Sequence, residues 1–283
     1  MSLLRLPALD AAPQVDGKGT ITAPRPHRRS RFPSLVAAVL VAGTGIVLAC
    51  SDSTSPNRAG TFFGPVTAVA GGSARTYLIL DAAGKPTDLG LAITEAALTG
   101  LPAAQAEYVL TFPSEASATP FKHAVINWNP NGHPPPMVYT VPHFDFHFYM
   151  ITQAELEAIT PADSQFATKM TLKPASDFIP ARYASDPGGV PRMGLHWTDP
   201  AAPEFNGQAF TRTFVYGSYN GTFIFDEPMV TKAYLDGKPA TLVTPVQLPA
   251  RYAQTGYLPT SYTTGYDATT REYRIALSGL VLR

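Results

Sequence analysis

Ten residues, Val141 to Met150, constrain this chain more than any other stretch: V-P-H-F-D-F-H-F-Y-M. Phe144, Phe146 and Phe148 alternate strictly with His143, Asp145 and His147, which is the period-two pattern of a half-buried β-strand. A helix would bring His143 and His147 together, but Asp145 would then point away and the phenylalanines would lose their common face. The strand therefore has one aromatic face and one carrying imidazole, carboxylate and imidazole. Three such groups in a row predict either a ligand site or a buried polar network.

The rest of the chain has the composition of a β protein. Only 15% of its residues are charged, while 28 Pro and 22 Gly mark many short elements joined by turns. A hydrophobic content of 45%, with 11% aromatic, is ample for a packed core. Gly71-Gly72-Ser73 and Asn220-Gly221 sit between β-branched and aromatic runs, as hairpin turns do, and Asp81 to Pro86 turns the chain again. Thr94 to Leu98 predicts one or two helical turns, and Thr152 with Glu155 forms a capping box for a short helix before Pro161. Residues 160–192 read as an irregular excursion over the surface or across the site, and a further strand is expected after Pro228, up to Leu235. The tyrosine-rich segment beyond Pro239 reads as irregular, with Arg271 to Leu282 as the last strand. The expected fold is mainly β, a β-rich α+β chain forming a single antiparallel β-sandwich or barrel-like domain with one or two short helices.

The first fifty residues are of another kind. Arg28, Arg29 and Arg31 precede the weakly polar run Leu35 to Ala49, and Val47-Leu48-Ala49 leads into Cys50, the only cysteine. A basic segment, an apolar segment and small residues before the cut describe a secretory signal, too short and glycine-rich for a comfortable membrane span. The position of Cys50 resembles the lipobox of bacterial lipoproteins, in which that cysteine becomes the lipidated first residue. The expected organisation is an N-terminal extension and signal over 1–49, a lipidated cysteine and flexible tether over 50–60, and one β-rich domain over 61–283. Such a chain is exported and attached to the membrane through the lipid on Cys50. Residues 1–50 hold six basic and two acidic residues out of 21 and 21, which leaves 15 and 19 in the remainder, a net charge of −4. No basic stripe survives for a nucleic acid.

Apart from His27, the histidines are His123, His133, His143, His147 and His196, all within 74 positions. Their clustering in a thiol-free domain points to a divalent metal such as zinc, iron or manganese. Strand geometry restricts the ligand set, because residues two apart stand about 7 Å from each other and residues four apart about 13 Å. His143 with Asp145, or Asp145 with His147, can share an ion; both histidines can do so only across a bulge. His196, in M-G-L-H-W, and Glu227, on the same strand face as Phe223 and Phe225, are the candidates to complete the site. His133 lies in a proline-stiffened turn, as a lid residue or an ordinary loop histidine. Opposed to the metal reading is a network in which Asp145 bonds a histidine across strands and Glu227 pairs with Arg192 or Arg212. No G-x-S-x-G elbow, phosphate-binding loop or dinucleotide fingerprint is present.

The run from Asn127 to Tyr149, N-W-N-P-N-G-H-P-P-P-x-V-Y-x-V-P-H-F-D-F-H-F-Y, carries a resemblance, as do M-G-x-H-W at Met193 to Trp197 and F-D-E-P-M-V-T within Phe210 to Leu235. With the closing P-x-S-Y and R-E-Y-R-I-A-L-S-G-L, they resemble a family of uncharacterised bacterial envelope proteins, many of them lipoproteins. The resemblance implies a single β-rich domain and, through a related ring-forming type, a homo-oligomer; it implies no catalytic roles. Two functions remain open. One is an exported lipoprotein binding a divalent metal or small ligand at His143, Asp145, His147, His196 and Glu227, with Asp145 or Glu227 as general base if it is an enzyme of metal-assisted hydrolysis or oxidation. The other is a non-catalytic, oligomer-forming envelope protein in which the same residues only organise the core.

Overall fold

A computed structural model describes residues 58–283; the signal segment, Cys50 and most of the tether lie outside the described residues. The chain opens with strands β1 (Gly60–Phe63), β2 (Thr67–Val69), β3 (Gly72–Leu80), β4 (Pro86–Thr94), β5 (Ala106–Thr111), β6 (His123–Asn129) and β7 (His143–Tyr149). Helices α1 (Gln153–Glu157) and α2 (Phe166–Thr171) precede β8 (Ala184–Ser185), β9 (Leu195–Thr198), β10 (Arg212–Tyr219) and β11 (Thr222–Thr231). Helix α3 (Lys232–Asp236) leads to β12 (Leu242–Pro245), β13 (Tyr257–Leu258), β14 (Ser261–Asp267), β15 (Glu272–Ser278) and β16 (Val281–Leu282).

Among the described residues these strands make two open seven-stranded antiparallel sheets, neither closed into a barrel, and a separate two-stranded pair, β13-β16. The first runs β1-β3-β4-β15-β14-β12 with β2 also on β3, and the second runs β5-β6-β7-β11-β10-β9-β8. Their inner faces share one core. Leu78, Leu89, Leu91, Ile275 and Leu277 of the first sheet meet Leu110, Ile126, Phe144, Phe146, Phe148 and Val230 of the second. Phe146 and Phe148 are wholly buried, and burying a side chain of that size contributes about 1.5–3 kcal/mol. The alternation in β7 thus sets the sandwich: its phenylalanines fill the space between the sheets, and His143, Asp145, His147 and Tyr149 face outward.

That outward face is not open to solvent, and all seven residues of β7 are buried. Parts of the segments 130–142, 150–194 and 199–211 fold back over it. Tyr139 and Phe210 pack with Val215 and Met229, while Leu156, Ile159, Met170 and Leu195 pack with Val125, Tyr149 and Phe225. The predicted capping box is formed, the Thr152 Oγ1 accepting from the Glu155 amide and the Glu155 carboxylate from the Thr152 amide, and it fixes the entry of α1 into this cover. The excursion contains α2, which its sequence did not signal; no side-chain cap marks its start.

Three other departures have local causes. Pro228 does not end a strand, because β11 continues through it to Thr231. Phe214 pairs with Pro228 on one side, while on the β7 side no pairs form between Asp226↔Phe148 and Met229↔Asp145, so the missing N–H falls in a gap of the ladder. Residues 232–236, expected as strand, are helix α3, started by the Thr231 Oγ1 accepting from the Tyr234 amide. The segment read as irregular holds β14, which pairs with β15 over its whole length and places buried Tyr262 in the core. The Asn220-Gly221 turn is as predicted, with φ of 51° and 77°.

Candidate functional site

Cross-strand register builds the polar face. His143, Asp145 and His147 stand opposite Asn129, Asn127 and Val125 of β6, and on the other side Thr231 and Met229 of β11 oppose His143 and Asp145. Between these elements and the covering loops lies a cavity of about 770 Å³, lined among others by His133, Tyr139, Asp145, Asp186, His196 and Glu107. The candidate residues separate into two groups at this cavity, in each of which one atom per residue lies within 4.8 Å of the others: His133, His143 and Asp145, and His147, His196 and Glu227. His143 and His147 thus fall in different groups on an unbulged strand, as the rise per residue requires.

In the first group His143 Nε2 lies 3.0 Å from Asp145 Oδ1 and His133 Nε2 lies 3.4 Å from Asp145 Oδ2. The opposite nitrogens are engaged by backbone. His143 Nδ1 donates to the Val141 carbonyl at 2.7 Å, and His133 Nδ1 to the Pro134 carbonyl at 2.7 Å. Those bonds place the proton of each ring on Nδ1 and aim both Nε2 atoms at the carboxylate, where they bond to it when protonated or can ligate an ion when neutral. Asn129 Nδ2 donates to Asp145 Oδ2 at 2.6 Å, and Gln105 Nε2 in turn to Asn129 Oδ1 at 2.9 Å. Burial pushes the Asp145 carboxyl up, but bonds and charge from His133 and His143 outweigh it and hold the group far below the usual range. Burial likewise lowers His133, and Asp145 more than offsets this, so that the imidazole ends above its ordinary value. Apart from each other, His143 Nε2 and Asp145 Oδ1 have no hydrogen-bond partner among the described residues. A proton on the imidazole or a metal ion held by both groups satisfies such a pair, and the ligand types are ones that could hold a divalent metal.

The second group sits deeper. His147 Nε2 is 3.6 Å and His196 Nε2 3.9 Å from Glu227 oxygens. His196, on β9, reaches across β10 because its opposite residue there is Gly217, over which the Phe225 ring lies. Burial drives His147 down to about 3 and His196 to about 4, so both are neutral at pH 7. It also raises Glu227 well above the usual carboxylate value, with the charge of Asp145 adding to the effect. Both nitrogens of His147 and Glu227 Oε2 are unpartnered, and no backbone carbonyl fixes the tautomer of His147.

The two arginines named as partners of Glu227 are both engaged elsewhere. Arg192 pairs with Glu107 at 2.8 Å, and Arg212 donates to Thr244 and Tyr262. Of the residues named as a general base, Asp145 is bonded into the first group and burial disfavours the ionised form of Glu227; His196, lowered to about 4 by burial, lines the cavity. His133, weighed in sequence as a lid, belongs to the ligand group itself. Its proximity to the H-F-D-F-H strand through a short proline-rich turn was the signal that could have placed it there. Asn129, Gln105 and Asp186 carried no such signal.

A family model described as TTHB210-like, hypothetical protein TTHB210, matches residues 81–128. That span runs from β4 into β6, well under half of the chain, and ends before all six grouped residues. It is an uncharacterised family, and the match extends to only two residues of the Asn127–Tyr149 motif. No curated protein and no solved structure matches the chain.

Proposed function

We propose that this chain is an exported, lipid-anchored envelope protein whose outer-face cavity binds one divalent metal ion, zinc, iron or manganese, through His133, His143 and Asp145. One observation supports this most: two backbone-oriented imidazoles and a carboxylate converge beside a cavity of about 770 Å³, with His133 and Asp145 in its wall and His143 buried behind them. Two histidines and one carboxylate leave coordination positions for a ligand from the cavity. Such an ion supplies Lewis-acid chemistry, and His196 offers a neutral base on the same wall, a combination suited to hydrolysis. The second group serves as a buried network behind the ion, in which burial favours the uncharged forms of Glu227 and His147.

The test is metal analysis of protein purified without chelator. About one ion per chain is expected, lost in His133→Ala and in Asp145→Asn and kept in His196→Ala. Protein that holds no metal and takes up none on dialysis against zinc, iron(II) or manganese overturns the reading. A second ion, lost in Glu227→Gln, extends the centre to the second group. For the anchor, labelling of growing cells with a radioactive fatty acid is expected to mark the wild type and not Cys50→Ala.

A further inference from the structure

On the opposite side of the second sheet, a separate cavity of about 270 Å³ lies among Tyr216, Phe223, Phe178, Tyr252, Leu258 and Asp226. Asp226 precedes Glu227 in β11 and therefore points the other way, so the sheet itself divides this cavity from the histidine groups. Its side chain is 2% exposed, and its Oδ1 has no hydrogen-bond partner. Buried carboxyls are ordinarily paired, because desolvation without a partner costs several kcal/mol.

Two of the polar side chains lining the cavity are committed elsewhere. The Tyr216 hydroxyl donates to the Gln247 carbonyl at 2.8 Å, and Gln254 Nε2 to the Phe223 carbonyl at 2.8 Å. The Arg251 guanidinium stacks on the Phe178 ring, 5.3 Å from its centroid, and no ion pair joins it to Asp226. The Tyr252 hydroxyl lining the same cavity is also without a partner, and no hydrogen bond joins it to Asp226, so among the described residues nothing donates to the carboxyl Oδ1.

We propose that this cavity binds a small organic amine, its ammonium group on Asp226 and its apolar body against Tyr216, Phe223 and Phe178. An ammonium brings three donors and the positive charge that lets the buried carboxyl release its proton to solvent and bind as carboxylate. Aromatic faces attract the same cation. At about 30 Å³ for each water-sized group, the space holds on the order of nine of them, the size of an arylalkyl or short alkyl amine. A neutral alcohol would satisfy one oxygen without supplying a charge to favour the ionised form; an ionised carboxylic acid would add a second anion to the same desolvated space.

Calorimetric titration of the purified full chain with 2-phenylethylamine and with n-hexylamine at pH 7 tests this, with 2-phenylethanol as the uncharged comparison. Saturable binding of at least one amine is expected, weaker by about tenfold or more in the nearly isosteric Asp226→Asn and weaker by a similar factor for the alcohol. Ala253→Trp, at the exposed mouth, keeps the carboxyl and is expected to block entry. No binding of either amine, equal affinity in Asp226→Asn, or an alcohol that binds as tightly as the amine overturns the proposal. Metal content at the other cavity is expected to stay the same in both variants.

Discussion

Replacing Asp226 by Asn should change how the stability of this protein depends on pH, by an amount that follows from its burial. Desolvation alone pushes the carboxyl up to about 8 from an ordinary value of 3.8, with no charge or hydrogen bond to offset it. In the unfolded chain the same group loses its proton near 3.8. Between the two values the folded state holds a proton that the unfolded state has released, so stability is fully present below about pH 3.8 and falls as the pH rises to about 8. At about 1.4 kcal/mol per pH unit the whole loss is on the order of 5 kcal/mol. Asparagine has nearly the same shape and no proton to lose. Urea unfolding in phosphate buffer, free of amines, should therefore find wild type and variant within about 1 kcal/mol of each other near pH 4. The advantage of the variant should grow by about 1.4 kcal/mol per pH unit and level off above pH 8. Glu227, His147 and His196 also titrate out of their ordinary ranges, but both proteins contain them and the difference removes them. Parallel profiles, or a variant that loses ground as the pH rises, would refute the reasoning.

Other substitutions probe the sheet and the site. In Gly217→Ala the new Cβ would meet Phe225 Cζ at 1.9 Å, and Phe225 is wholly buried against His147 and Tyr149; calorimetry should show a loss of about 1–3 kcal/mol, with metal still bound at the His133 group. Phe146→Ala empties the centre of the sandwich and should cost about 3–5 kcal/mol in denaturant unfolding. Asn129→Ala removes the 2.6 Å bond to Asp145 and should weaken zinc binding by about 10–100-fold in a chelator competition, with the fold retained.

Much of the architecture was legible in short-range patterns. Alternation in β7, the Asn220-Gly221 turn and the Thr152–Glu155 capping box each depend on neighbours within a few residues, and each is where the sequence placed it. Where the reading departed, distant partners had decided. Pro228 remains in a strand because its missing N–H coincides with a gap in the ladder to β7, and β14 is a strand because β15 pairs with it. The candidate site follows the same division. Spacing alone excluded His143 and His147 from one ion. It did not show that His133 joins His143, that His196 reaches Glu227 over Gly217, or that Arg192 and Arg212 bond elsewhere.

By itself, then, the sequence determined that Val141 to Met150 is a strand with phenylalanines on one face and ligand-type groups on the other, because side-chain direction in a strand is a matter of parity. Only the tertiary structure decided that the polar face is enclosed. The cover drawn from parts of residues 130–142, 150–194 and 199–211 is what strips water from these groups, and desolvation and proximity, the forces that shift their protonation and converge them on a cavity, depend on chain segments far away in sequence.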